Sequence, residues 1–156
     1  MRMRFRRKDI MKNKNVKNNM QFPKGKILVY TRKPVSGLYS SHLAYSVHMA
    51  YSSDGNTYKA LNQNYGIVFA SSTISQDNTI NEKGLKNPYL FYTADGKFGI
   101  VAVRINADGS DDGESKGKVL LWLSDDLYYF KEIGLINLHV DAYANEIVCE
   151  YDYINK

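Results

Sequence analysis

Val47–Leu61 reads VHMAYSSDGNTYKAL, and Val119–Ile133 reads VLLWLSDDLYYFKEI. Set at an offset of 72 residues, Val47 meets Val119, Ser52 meets Ser124 and Asp54 meets Asp126. Tyr58 then meets Phe130, Lys59 meets Lys131 and Leu61 meets Ile133. Upstream, Gly25-Lys26-Ile27 matches Gly96-Lys97-Phe98 at an offset of 71. Each unit reads as an apolar strand, a second strand, a Ser-x-Asp turn and a third strand. Ser-Asp-Gly and Ala-Asp-Gly (Ser53–Gly55 and Ala94–Gly96) between apolar runs are hairpin signals. The expected strands are Lys26–Arg32, Val47–Ser52, Thr57–Leu61, Tyr89–Thr93, Lys97–Arg104, Val119–Leu123 and Tyr129–Ile133. Asn145–Tyr151 (NEIVCEY) reads as a further opening strand. No stretch keeps helical periodicity over three turns, so the chain reads as all-β.

A sheet unit repeated at this spacing predicts a partial β-propeller: about two four-stranded blades and the start of a third. The alternative is a two-sheet sandwich. Two blades cannot close a ring, and open blades leave unpaired edges. The expectation is therefore a chain completed by missing C-terminal blades or by a homo-oligomer.

Composition agrees with one domain. The 156 residues are 44% hydrophobic and 24% charged, with 13 Tyr, 6 Phe and 1 Trp, a usage that suits strands. The longest apolar runs are too short to span a bilayer, so no membrane role is expected. The net charge of +5 is uneven. Residues 1–20 hold eight cations against Asp9, while the rest carries 13 cations and 15 acids. Residues 1–22 read as a disordered basic tail and 23–156 as the blades. With only Phe5 among the cations, the tail offers no base-stacking platform, and nucleic acid is not an expected partner. The tail lacks an apolar signal core, so the expected compartment is cytoplasmic by default.

Three motifs, in order, carry a resemblance. Ala50-Tyr51-Ser52-Ser53-Asp54-Gly55 runs through Ala60-Leu61-Asn62. Lys86-Asn87-Pro88 leads to Ala94-Asp95-Gly96-Lys97-Phe98 and Val101-Ala102. Leu120-Leu121-Trp122 leads through Ser124-Asp125-Asp126-Leu127 to Phe130. Over residues 25–152 this resembles the N-terminal part of the five-bladed propellers of glycoside hydrolase family 43, the arabinosidase and xylosidase group, a family commonly exported. The resemblance implies a carbohydrate partner and hydrolysis by a carboxylate pair without an organic cofactor. A carboxylic acid protonates the leaving oxygen while a carboxylate activates water. It also implies a third acid that tunes the first.

The resemblance maps the tuning position onto Asn87, an amide that cannot carry the charge, with Lys86 in place of the family's Arg. It maps the acid onto Glu146, with Glu150 as second choice. The base would lie before Lys26, where only Asp9 is acidic, so none is assigned. Arg32, Tyr89 and Arg104 are the expected sugar-binding residues. The expected function is a glycosidase acting on arabinose- or xylose-containing polysaccharides, in an inactive or truncated form. The alternatives are a non-catalytic carbohydrate-binding or scaffold module and a self-assembling, protein-binding β domain.

Other chemistry-bearing residues read as structural. Asp54 and Asp126 are expected to bond their own turn backbones. His42 and His48, read as one strand's face, lie too far apart to share a metal, and His139 has no partner at ligand spacing. Asn106–Glu114 (NADGSDDGE) lacks the acid a calcium loop needs at its twelfth position and reads as a solvated loop. No metal is expected. Cys149 reads as a buried thiol.

Overall fold

The structure, a computed structural model, describes residues 2–5, 25–36 and 40–151. It is all-β. Among the described residues, eleven strands run in chain order: β1 (Arg2–Phe5), β2 (Lys26–Tyr30), β3 (His48–Ser52), β4 (Lys59–Ala60), β5 (Thr73–Ile74), β6 (Ile80–Asn81), β7 (Lys83–Tyr92), β8 (Phe98–Asn106), β9 (Lys118–Ser124), β10 (Lys131–Asn137) and β11 (Val148–Tyr151). One helical turn, α1 (Ser41–Ala44), lies between β2 and β3.

The two similar stretches fall in separate sheets. The first sheet is the antiparallel meander β2-β3-β4, and the second has the order β7-β8-β9-β10. Their registers repeat residue for residue. Lys26 faces Ser52 in the first, and Phe98 faces Ser124 in the second. Tyr51 faces Lys59, and Leu123 faces Lys131. Thus β2-β3-β4 corresponds to β8-β9-β10 at one offset of 72 throughout. The upstream offset of 71 read from Gly25-Lys26-Ile27 is corrected by one residue, because the pairing, not the Gly-Lys dipeptide, sets the alignment. Among the described residues the first sheet has three strands, where four were expected. The counterpart of β7 would precede Gly25, and residues 6–24 lie outside the described residues.

The Ser-x-Asp turns fix these registers. Ser52 Oγ donates to Asp54 Oδ1 (2.8 Å) and accepts from Gly55 N (2.8 Å). Asp54 also accepts from Asn56 N and Thr57 N. Seventy-two residues on, Ser124 Oγ accepts from Leu127 N (2.9 Å), and Asp126 from Tyr128 N and Tyr129 N. Leu127 adopts φ +65° where Gly55 has φ +80°, so the turn geometry persists without glycine. Ser75-Gln76-Asp77 and Thr93-Ala94-Asp95 make the same hydroxyl-to-carboxylate bond.

Alternation along β8 shows where the core sits. Ile100 and Ala102 pack with Leu120, Trp122, Leu85, Val47 and Met49, against the first sheet. Val101, Val103 and Ile105 point the other way, onto Val119, Leu121, Ala144, Ile147 and Cys149. The second sheet is therefore buried on both faces, which explains why FGIVAVRI is nearly unbroken apolar sequence. Each fully buried aliphatic side chain contributes roughly 1.5–3 kcal/mol. In the first sheet, Met49 packs into this core with Ile27 and Val29 against it, while Leu28 on the edge strand is 45% exposed. A sheet flanked on one face by its predecessor and on the other by the segment leading into β11 has the arrangement of a middle propeller blade.

Two expectations about local structure change. The Tyr-rich segment around His42 is α1, not a strand, and Tyr45, just after it, accepts through its carbonyl from Leu85 N (2.6 Å). The tail, read as disordered, contributes β1, which pairs parallel to β11; residues 6–24 lie outside the described residues.

Candidate active site

Three expected site residues converge. β7 and β8 pair regularly from Lys83 to Lys86 and again from Tyr89 to Tyr92, with a register shift between. Asn87-Pro88 forms this irregularity. Proline has no N–H to give the ladder and favours such a break. Asn87 takes φ +51°, a conformation Asn tolerates better than most residues. Its Nδ2 donates to the carbonyl of Asn145. That bond ties the bulge to the segment before β11, 58 residues on, and the two sides enclose a hollow of about 490 Å³. Asn87, Pro88, Tyr89, Asn145, Glu146 and Ile147 line it. Asn87 and Glu146 are exposed, Tyr89 is half-buried and Ile147 is core.

Chemically, the described lining of the hollow offers one carboxyl group, two side-chain amides and one phenol. Glu146 is the acid among its described lining residues. Hydrolysis through paired carboxylates needs a second. Asn87 keeps its hydrogen bond to the Asn145 carbonyl but brings no charge. The base position before Lys26 lies outside the described residues, as does Asp9. The side chain of Glu150 is likewise not described.

Arg104 does not join this hollow. It is 8% exposed because β8 is covered on both faces. Its Nε donates to Asp112 Oδ2 (2.6 Å) and Ser115 Oγ (3.1 Å), and its NH2 group to Glu114 (2.8 Å). Lys83 Nζ reaches Asp112 Oδ1 (3.1 Å). Burial opposes ionisation of Asp112, but the bonds from Ser115, Lys83 and Arg104 outweigh it and hold its pKa below the usual carboxylate value. The Asn106–Glu114 segment is thus no freely solvated loop at Asp112. The carboxylate is the buried anchor of two cations and caps the turn at Gly113–Ser115 by accepting from Glu114 N. Among the described residues no group of three or more His, Cys, Asp or Glu could hold a metal.

Arg32 also lies apart. It lines a second hollow of about 310 Å³ with His48, Gln63, Asn64, Tyr65 and Phe69. His48 is 2% exposed. Its Nδ1–H donates to the Asn64 carbonyl (3.1 Å), and Nε2 lies 3.2 Å from Ser46 Oγ. His42 instead packs its ring near Phe69 and donates from Nδ1 to the Lys83 carbonyl (2.6 Å). Both histidines serve packing, as expected, although from a helix and a strand. The sequence reading missed Gln63, Tyr65 and Phe69; the polar and aromatic run Asn62-Gln63-Asn64-Tyr65-Gly66 was the signal available.

Asp54 and Asp126 bond their own turns, as read. The turn N–H groups of Thr57 and Asn56, with the Ser52 hydroxyl, hold the Asp54 pKa at about 2. Cys149 is buried, and burial pushes its thiol up to about 11.

No family model matches the sequence, and no curated protein matches it. Among solved structures, a GH43 β-1,3-galactosidase is similar at a TM-score of 0.46 and 13% identity over 72% of this chain. The chain spans 22% of that protein's length.

Proposed function

We propose that this chain is a carbohydrate-binding propeller segment of the family 43 glycosidase type, which takes up a terminal arabinose- or xylose-type sugar at the Asn87–Glu146 hollow without cleaving it. One observation carries the reading. Asn87, Tyr89 and Glu146, each expected at a sugar site from the sequence, lie around one hollow although the chain separates the bulge from Glu146 by three strands. The Tyr89 ring offers an apolar face for sugar C–H groups. Asn87 and Glu146 offer donors and acceptors for hydroxyls. Turnover is not expected, because the single carboxyl group among the described lining residues supplies only half of the acid–base pair.

The test is affinity electrophoresis of the full chain in gels containing arabinan or arabinoxylan, beside release assays on aryl arabinofuranosides and xylosides. The reading predicts retardation by one of the polysaccharides, weakened by Tyr89→Ala and Glu146→Gln, and no aryl release above background. Migration unaffected by every polysaccharide overturns it. Aryl release abolished by Glu146→Gln overturns the non-catalytic part.

A further inference from the structure

We propose that Ser46 and His48 form an acid-sensitive switch, which ties α1 to the Asn62–Asn64 run when His48 takes up a proton. The switch is independent of the Asn87–Glu146 hollow and of any sugar bound there. Its basis is a count of hydrogens. His48 Nδ1 lies 3.1 Å from the Asn64 carbonyl. A carbonyl only accepts, so Nδ1 carries a hydrogen whether the ring is neutral or charged. His48 Nε2 lies 3.2 Å from Ser46 Oγ, and Ser46 Oγ lies 2.7 Å from the Leu43 carbonyl of α1. The chain from Asn64 to Leu43 therefore has three contacts. A neutral ring leaves two hydrogens to fill them, one on Nδ1 and one on the hydroxyl. The hydroxyl must then choose between Nε2 and the Leu43 carbonyl, and one contact goes unmade. Ser46 and His48 are 0% and 2% exposed, so the unmade contact is costly. A proton on Nε2 supplies the missing hydrogen: Nε2–H donates to Ser46 Oγ, and the hydroxyl turns onto the Leu43 carbonyl.

The element at the far end of this chain is under strain. Asn62, Gln63 and Asn64 all adopt left-handed backbone, with φ of +50°, +52° and +63°. Three such residues in succession are costly and persist only when their surroundings enforce them. Two bonds do so here: Tyr30 OH donates to Asn64 Oδ1 (2.6 Å), and His48 Nδ1–H donates to the Asn64 carbonyl. Charging His48 strengthens the second, because a hydrogen bond from a cation is stronger than one from a neutral ring. The titratable groups near the ring are few. On β2, Tyr30 stacks on it at 5.5 Å. Arg32, itself engaged within the protein, and Tyr65 line the same hollow of about 310 Å³, and His42 of α1 packs near Phe69 at its border. Burial lowers the His48 pKa most, the Asn64 carbonyl raises it, the Arg32 charge lowers it, and the Leu43 and Ala44 carbonyls raise it. The balance falls below the ordinary value of 6.5. The ring is therefore neutral near pH 7 and charges in mild acid, with the hollow as the route for the proton.

NMR of the isotopically labelled full chain, titrated from neutral pH into mild acid, tests the switch. At neutral pH the His48 ring nitrogens should show the tautomer with hydrogen on Nδ1. On acidification the ring should charge, and the Leu43 and Asn64 carbonyl carbons and Ser46 Cβ should move with it on one curve. In Ser46→Ala, His48 and Asn64 should still move together, while the Leu43 carbonyl shift falls by at least half. Stability gives a second readout. The folded ring takes a proton less easily than the unfolded chain, so its contribution is present above the ordinary histidine value and lost as pH falls below it. The urea midpoint should therefore fall less between pH 7 and pH 5 in His48→Gln than in the parent. Hydrogen on Nε2 at neutral pH, a ring that stays neutral until the chain unfolds, or a Leu43 carbonyl that stays still while His48 charges overturns the proposal. If Ser46→Ala does not fold, the titration of the parent decides alone.

Discussion

Replacing Asp112 with alanine should be among the most damaging single changes in this chain. The carboxylate is 4% exposed at its side chain, and its partners Lys83 and Arg104 are 7% and 9% exposed. Truncation leaves a buried ammonium without its anion and a guanidinium with only Ser115 and the solvent-facing Glu114. It also removes the cap of the turn at Gly113–Ser115. Breaking a buried pair by deleting one partner costs about 3–5 kcal/mol, a large share of the 5–15 kcal/mol typical of a domain. At roughly 2–4 °C per kcal/mol for this size, the midpoint should fall by about 6–20 °C. Asp112→Asn should recover little, because an amide satisfies geometry but not charge. Differential scanning calorimetry of the full chain reads the effect. A fall below about 2 °C in both variants would refute the view that these charges are held out of water. It would also reopen Arg104 as a group available to ligand.

Further expectations concern the turns, the bulge and one glycine. Asp54 titrates at about 2 when folded against an ordinary 3.8. The stability it contributes is present above pH 4 and lost as pH falls toward 2; chemical denaturation at pH 5 and pH 2.5 should show a smaller acid loss in Asp54→Asn than in the parent. Asn87→Asp removes the donor to the Asn145 carbonyl and turns a carboxylate oxygen toward it, at a cost of about 1–2 kcal/mol. Urea denaturation would register it, and no loss would mean that the bulge is not tied to the segment before β11. Gly117 has φ +69°, and a Cβ there would overlap the Val140 carbonyl oxygen. Gly117→Ala should therefore cost more than about 2 kcal/mol, readable as a lowered thermal midpoint.

The repeat was legible because turn chemistry and strand alternation are local. Ser52-x-Asp54 and Ser124-x-Asp126 build the same bonds wherever they occur, so their spacing carried over into paired registers. Long-range ties were less legible. The Lys83–Lys86 half of β7 was missed because GLKN has little strand character; it is held by Tyr45 and by pairing with β8. Arg104 was assigned to a cleft on residue type. Its place between Val103 and Ile105, in a strand apolar at almost every position, was the sign of burial, and a buried Arg requires an anion. Asn87 and Glu146 could be paired only through the order of the motifs. Periodicity alone cannot show that a bulge on one strand meets the approach to another 58 residues later. The left-handed run at Asn62–Asn64 had no glycine to announce it.

The central claim is that successive sheets of this chain meet at a sugar-binding hollow between Asn87 and Glu146. Its most direct test is an amide and side-chain NMR titration of the isotopically labelled full chain with arabino- and xylo-oligosaccharides. The account predicts that one series shifts the Asn87 side-chain amide and the backbone amides of Tyr89 and Asn145–Ile147 together, on one saturation curve. Saturable shifts confined to other regions, with these signals unmoved, would contradict it.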